Sequence, residues 1–561
     1  MTNHGANTEA QQRRRRTVLA GAALVTVATA VVVTQCGAGG EAVASKYAAA
    51  WQRQDFAAMY SMLSSDSQQK LSLERFSQLQ RDSLATATVR TLEPGEPRGF
   101  SNGSVKVPFK VTTRVFGARE LDASIPLTDD DSEARVIWSE SLLLPGVRAG
   151  ETLSRETTMP PRASLYAADG KALAVGPNRV SEIPDVSDQI AGTVAAPAVA
   201  AGLGPNAFGY PQGTPVGQSG LERVFQQQLA GRPGGTLRSG TRVLAESRPQ
   251  PGKSIRTTIV PSIERAAVQA LAGRPGGIAV TVPKTGEILA AAGSAFSATA
   301  PPGSTFKIIT ASAVLENRLA TPDSTYAYAT GASLDGRMLQ NAGGESCGGT
   351  LVQAFADSCN SVFAPLGAKL GSAKLVDMAT RYGFNHSIPG VPGAAVSTIP
   401  TADKIVGDDA TGSTAIGQGQ TAASVLEMTT TAATVGAGGY RAQPTLVKVS
   451  KPSGWRVTSP KVASEMRRLM LAVVRSGTGF AAAIPGVAVA GKTGTAELVD
   501  TTSPDVVSGD PKNTDAWFVA FAPAWNARIA VGIELDGAGH GGDSAAPAAH
   551  DVLVAALQAT R

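Results

Sequence analysis

The sequence predicts a multidomain α+β protein, with an N-terminal membrane anchor and a C-terminal half built on an antiparallel sheet flanked by helices. Three observations predict it. The chain has 561 residues, too many for one ordinary domain. An apolar run without charge, residues 17–34, directly follows Arg13, Arg14, Arg15 and Arg16. Beyond it, short segments of helical and strand periodicity alternate, and a stretch rich in Gly, Pro and Ala interrupts them.

The anchor comes first. Eighteen residues rising about 1.5 Å each reach roughly 27 Å, enough to cross a bilayer. Residues 1–16 then form a cytoplasmic basic tail, because clustered arginines hold that end inside, and the remainder is exported. Residues 17–36 are open to two readings. They form an uncleaved transmembrane anchor, or a lipoprotein signal, since Val33-Thr34-Gln35-Cys36 resembles a lipoprotein cleavage box with Gln35 in place of the usual small residue. In the second case Cys36 carries the lipid. Either leaves the protein tethered to the cell membrane with its bulk outside the cytoplasm. The same arginines, set against Glu9, supply +3 of the net charge of +5. What remains is nearly neutral, which excludes a basic nucleic-acid surface.

Residues 41–150 read as a small α+β domain. Helical spacing runs through Ala42, Val43, Tyr47 and Trp51, then Leu73, Phe76 and Leu79. Strand alternation follows in Ser104-Val105-Lys106-Val107-Pro108-Phe109-Lys110-Val111 and near Arg135-Val136-Ile137-Trp138. From 155 to 250 the pattern weakens, most of all over 191–204, and suggests an extended connection. From 255 to 561 regularity returns. Residues 277–282 and 288–291 are two apolar strands joined by the turn Pro283-Lys284-Thr285-Gly286-Glu287, and residues 515–522 form a third. Cys347 and Cys359, twelve positions apart, pair in an oxidising compartment or remain two buried thiols.

Chemistry concentrates in this last part. Pro301-Pro302-Gly303-Ser304-Thr305-Phe306-Lys307 opens a helical run, which puts Ser304 at a helix N-terminus and Lys307 one turn later on the same face. A serine hydroxyl needs a base to become nucleophilic, and a lysine serves only when burial or nearby charge lowers its pKa. Ser358-Cys359-Asn360 follows a second helical run, offering a hydroxyl that can pass a proton and a carboxamide that can orient an amide. Lys492-Thr493-Gly494-Thr495 follows the alternating run 485–490, read as a strand. At a strand edge this lysine can bind a carboxylate, and the glycine can admit a substrate backbone.

Two of the spellings have decoys. Ser67-Gln68-Gln69-Lys70 lies in a polar stretch without a Pro-Gly entry, and Lys284-Thr285-Gly286 is explained by its turn. Residues 486–493 spell a phosphate-binding loop, yet their interior alternates Val and Ala like a strand. No His-Glu-x-x-His or Cys-x-x-Cys occurs, so neither metal nor cofactor is expected, and His540 and His550 read as ordinary surface or core residues.

The ordered set Ser304-x-x-Lys307, Ser358-x-Asn360, Lys492-Thr493-Gly494 resembles the penicillin-binding proteins and serine β-lactamases. Residues 217–222, Gly-Gln-Ser-Gly-Leu-Glu, resemble the interdomain motif of the monofunctional, class B members. Arg162 with Asp169-Gly170 and Leu173-Ala174 resembles the start of their pedestal or dimerisation domain, with Ala163 where glycine is usual. Residues 416–420 and Gly438-Gly439 match the later transpeptidase pattern. Residues 41–150 are similar to the cone-like N-terminal extension of methicillin-resistance-type members.

That resemblance implies a D,D-transpeptidase: residues 155–250 are a pedestal and linker, and 255–561 the penicillin-binding domain. It implies Ser304 as nucleophile, Lys307 as base and Ser358 as proton relay, with Asn360, Lys492, Thr493, Gly494 and Thr495 binding substrate. The N–H groups of Ser304 and Thr495 would form an oxyanion hole. The implied partners are peptidoglycan stem peptides, β-lactams, the membrane and a separate glycosyltransferase. A β-lactamase is disfavoured, since no Glu-x-x-Leu-Asn follows and more than half of the chain precedes Ser304. A D,D-carboxypeptidase and a non-enzymatic penicillin sensor or scaffold remain as alternatives.

Overall fold

The structure, a computed structural model, describes residues 28–130, 133–196, 208–497 and 513–561. The basic tail 1–16 and residues 17–27 of the expected anchor lie outside them. Residues 28–36 begin a helix, Ala28–Gln52, in which the side chain of Cys36 is not described. Among the described residues no helix is long and apolar enough to cross a membrane.

The chain divides into two compact units. One comprises Met1–Thr158, Gly202–Gln212 and Pro233–Arg248; the other comprises Met159–Ala201, Gly213–Arg232 and Pro249–Arg561. The weakly patterned stretch 155–250 is therefore shared between the two.

In the first unit, helices Ala28–Gln52 and Leu73–Thr86 pack with a five-stranded sheet. Its central strand, Ser104–Thr113, buries Val105, Val107, Phe109 and Val111 while Lys106 and Lys110 face solvent, as a period of two demands. Tyr47 and Trp51, one turn apart on the first helix, are fully buried, and Trp51 meets Phe109 edge-on at 5.3 Å. The strand expected near 135–138 lies two residues earlier, Glu133–Val136, and Trp138 falls beyond it, packed edge-on against Phe76. The Ser67 decoy is structural. Its hydroxyl meets Ser64 Oγ and accepts from Trp138 N, and Lys70 pairs with Asp66 at the surface.

In the second unit, an antiparallel sheet runs Ile288–Gly293, Gly276–Thr281, Ile529–Leu535, Thr514–Ala522, Ala490–Glu497 in spatial order. Burial on both faces explains why its central strands lack clean alternation. Helices Pro261–Leu271 and Ala545–Ala559 cover one face; Lys307–Glu316 and Val425–Gly436 belong to the core on the other. Residues 485–489, expected in a strand, instead contain a turn in which Val487 N donates to Ile484 O. Gly486, with φ +74°, makes that reversal possible, and the strand begins only at Ala490.

Three residues near the start of this unit form a buried ionic cluster. Glu222 accepts from Arg162 Nε at 2.8 Å and from Arg179 Nε at 2.7 Å. Two guanidinium groups on one buried carboxylate satisfy charges that would be costly alone. Arg179 was not singled out by sequence. Ala163 donates its N–H to Leu229 O without a left-handed backbone, so the loss of the usual glycine is accommodated.

Candidate active site

Ser304 lies in a single 3₁₀ turn, Gly303–Phe306, that feeds the helix Lys307–Glu316. Two glycines make this turn possible. Gly303 has φ +49°, and a Cβ there would stand 2.6 Å from Thr495 O. Gly417, with φ +80°, would drive a Cβ to 1.9 Å from Gly303 O; its own carbonyl accepts from Gly303 N. The turn is thus clamped between the 416–420 stretch and the Ala490–Glu497 strand. The space over Gly494 is filled by the chain itself, since a Cβ would meet Pro302 O and Thr305 Cγ2 at 2.9 Å. The glycine lets the serine turn close on the strand.

The second element sits between two helices. Leu351–Ala356 starts with a reciprocal cap between Thr350 and Gln353, and Asn360–Leu370 follows. Between them Ser358 adopts φ +62°, a left-handed conformation that costs a non-glycine residue about 1 kcal/mol. Cys359, fully buried, is bridged to Cys347 of the strand Cys347–Thr350, so of the two readings of these cysteines the structure shows the disulfide. Asn360 is fixed by donating from Nδ2 to Gln340 O at 2.6 Å.

These elements converge on two buried lysines. Lys307 Nζ lies 3.0 Å from Ser304 Oγ, 2.6 Å from Ser358 O, 3.2 Å from Ser358 Oγ and 2.7 Å from Asn360 Oδ1. Lys492 Nζ lies 2.8 Å from Ser358 Oγ and 3.0 Å from Thr493 O. Aromatic rings lie beneath both, Phe363 at 5.8 Å from Lys307 and Phe355 at 5.6 Å from Lys492. Ser304, Ser358 and Asn360 are only partly buried, so the site is reachable from solvent.

Burial, reinforced by the Lys492 cation, holds Lys307 well below the usual lysine range. Burial lowers Lys492 to about 7, and the Asp357 carboxylate works against that fall. A neutral amine has two N–H bonds and one lone pair. Ser358 O and Asn360 Oδ1 can only accept, so they take the two N–H bonds and leave the lone pair for the hydroxyl hydrogen of Ser304. The arrangement can therefore generate an alkoxide-like nucleophile.

Thr493 and Thr495 lie on the same edge strand. The Thr493 hydroxyl meets Thr478 Oγ1 at 2.6 Å, and Thr495 Oγ1 accepts from Gly541 N at 3.5 Å. Sequence reading missed Asp357 and Thr478. Asp357 adjoins Ser358 and could have been noticed as a carboxylate beside the motif; nothing local marks Thr478. Lys284 donates to Asn526 Oδ1, and His550 Nδ1 lies 2.9 Å from Ala483 O; neither contact belongs to this cluster.

The family described as the penicillin binding protein transpeptidase domain matches residues 276–554, and the NTF2-like N-terminal transpeptidase domain matches 39–151. The peptidoglycan D,D-transpeptidase PbpA of Mycolicibacterium smegmatis is 34% identical over 299 residues, which cover 47% of this chain and 56% of that protein. The chain spans about half the length of the curated relatives it matches. Among solved structures, the PBPA crystal structure from Mycobacterium tuberculosis is 27% identical with a TM-score of 0.57, over 71% of this chain and 99% of that one. Penicillin-binding protein A from the same organism, as a ceftriaxone acyl-enzyme complex, gives 27% and 0.56, over 71% and 98%.

Proposed function

We propose, from the premise that this chain is a homologue of the class B penicillin-binding proteins, that it is a peptidoglycan D,D-transpeptidase working through an acyl-enzyme on Ser304. One observation carries the reading: a buried, charge-depressed lysine within hydrogen-bond reach of Ser304, Ser358 and Asn360 at once.

In this reading Lys307 takes the Ser304 proton as the oxygen attacks the carbonyl of a terminal D-alanyl-D-alanine bond. The carbonyl becomes an oxyanion facing the N–H groups of Ser304 and Thr495, where one donor is worth about 3 kcal/mol. Ser358, in contact with both lysines, returns a proton to the leaving amine, and D-alanine departs. Lys492, with the Thr493 and Thr495 hydroxyls, holds the substrate carboxylate, and Asn360 orients the peptide while fixing Lys307. The amine of a second stem peptide then attacks the ester, forms the cross-link and frees Ser304. β-Lactams acylate the same oxygen and leave an ester that water removes slowly, a reading supported by the acyl-enzyme complex of the homologous protein.

Finer proposals accompany it. Residues 17–36, or a lipid on Cys36, tether the chain outside the cytoplasm, as the preceding arginines support. Residues 41–150 serve as an N-terminal extension, 155–250 as pedestal and linker, and 255–561 as the transpeptidase domain. A separate glycosyltransferase supplies the glycan strands.

Fluorescent penicillin on the purified chain, beside Ser304→Ala, together with a stem-peptide donor and an amine acceptor, tests the proposal. Covalent label lost in Ser304→Ala together with cross-linked product supports it. Hydrolysis alone points to a carboxypeptidase, and label without turnover to a sensor. Label retained without the Ser304 hydroxyl sinks the mechanism.

A further inference from the structure

A second cluster of ionisable groups lies outside the serine site. Asp515 on the strand Thr514–Ala522, Glu534 on Ile529–Leu535, and Asp536 just after it bring one oxygen each to within 4.8 Å of one another. Asp515 and Glu534 are each only 3% exposed, while Asp536 faces solvent. Three carboxylates so close repel one another, and burial removes the water that would screen them.

Two observations ask for something more than carboxylates. Glu534 Oε1 is buried with no hydrogen-bond partner. Among the described residues no cation answers it either: the charges acting on Asp515 and Glu534 there are those of other members of the trio, and Gly537 N donates to Asp515 at 2.9 Å. Glu534 is flanked in register by Trp517 and by Gly277, and a Cβ on Gly277 would strike Ala295 N at 2.7 Å and Ser294 Oγ at 2.9 Å.

We propose that Asp515, Glu534 and Asp536 form a binding site for a hard divalent cation, Ca²⁺. Donors that are all carboxylate oxygens select a hard ion over zinc or copper. The three oxygens lie within 4.8 Å of one another, close enough to share one ion. Ca²⁺ accepts irregular sets of protein carboxylates, whereas Mg²⁺ demands a near-ideal octahedron and keeps several waters. Asp536 offers the solvent-side entry, and Glu534 Oε1 gains the partner it lacks. No sequence motif marks the site, because its ligands come from adjacent strands.

The test uses Tb³⁺ and Ca²⁺ on the purified full chain. Trp517, directly opposite Glu534, should sensitise Tb³⁺ emission, and Ca²⁺ should displace it far better than Mg²⁺. Millimolar Ca²⁺ should raise the melting temperature over EDTA. Asp536→Asn, which leaves the core untouched, should weaken Tb³⁺ binding about tenfold or more. Trp517→Phe should abolish the emission but keep the Ca²⁺-dependent melting shift. The proposal is overturned if millimolar Ca²⁺ shifts nothing, or if emission and shift survive both Asp536→Asn and Glu534→Gln. In either case the trio holds only a shared proton.

Discussion

Replacing Lys492 by glutamine removes a charge whose effect on Lys307 can be worked out from the geometry. Both nitrogens touch Ser358 Oγ, at 2.8 and 3.2 Å, so they stand no more than about 6 Å apart. At an effective dielectric of about 20, two unit charges at about 6 Å repel by about 2.8 kcal/mol, equivalent to about two pH units. Acylation requires Lys307 neutral, so its rate rises with pH through the Lys307 pKa. Lys492, lowered to about 7, carries its charge only below that pH, so without it the ascending limb should move up by at most about two units. The assay is the second-order rate of fluorescent-penicillin acylation across pH, read for the midpoint of the limb rather than its height. Glutamine also loses contacts that scale the rate, but these do not move the midpoint. A limb that stays in place while acylation remains measurable would refute the reasoning and leave burial as the sole cause of the depressed Lys307 pKa.

Other perturbations are equally direct. Glu264 is fully buried, accepts from Ala291 N through Oε2, has no partner at Oε1, and is pushed up by burial to about 7. The folded state thus holds a proton that the unfolded chain releases near 4.5, so this contribution is intact below about 4.5 and gone above about 7. The loss amounts to about 3 kcal/mol, and Glu264→Gln should flatten that slope in melts across the window. Gly303→Ala should nearly abolish penicillin acylation, because its Cβ cannot coexist with Thr495 O at 2.6 Å; a normal rate would show that the turn is not clamped. Converting Cys347 and Cys359 together to serine opens a loop of separation 12 and should cost about 3 kcal/mol in denaturant unfolding. Reductant should reproduce that loss in the unmodified chain.

Much of the site was legible because its chemistry is local. Ser304 and Lys307 share one turn, Ser358 and Asn360 flank one buried cysteine, and Lys492 stands on a strand that hydrophobic patterning located to within a few residues. The order of the three elements along the chain, with Pro-Gly before the serine, separated them from Ser67 and Lys284. Patterning failed at 485–489, where Val and Ala alternate but Pro485 and Gly486 reverse the chain. It also failed for Trp138, whose burial comes from Phe76 and not from a strand.

The sequence by itself determined the residue types, their order, and the periodicities that make helices of 307–316 and strands of 276–281 and 514–522, since these depend on neighbours a few positions away. Only the tertiary structure decided which distant groups meet. Lys307 and Lys492 share Ser358 Oγ, Arg179 joins Arg162 on Glu222, Thr478 reaches Thr493, and Asp515 faces Glu534. These pairings rest on strand register and on close approaches across Gly303, Gly417 and Gly494. Both are set by packing over long sequence separations, which no local pattern encodes.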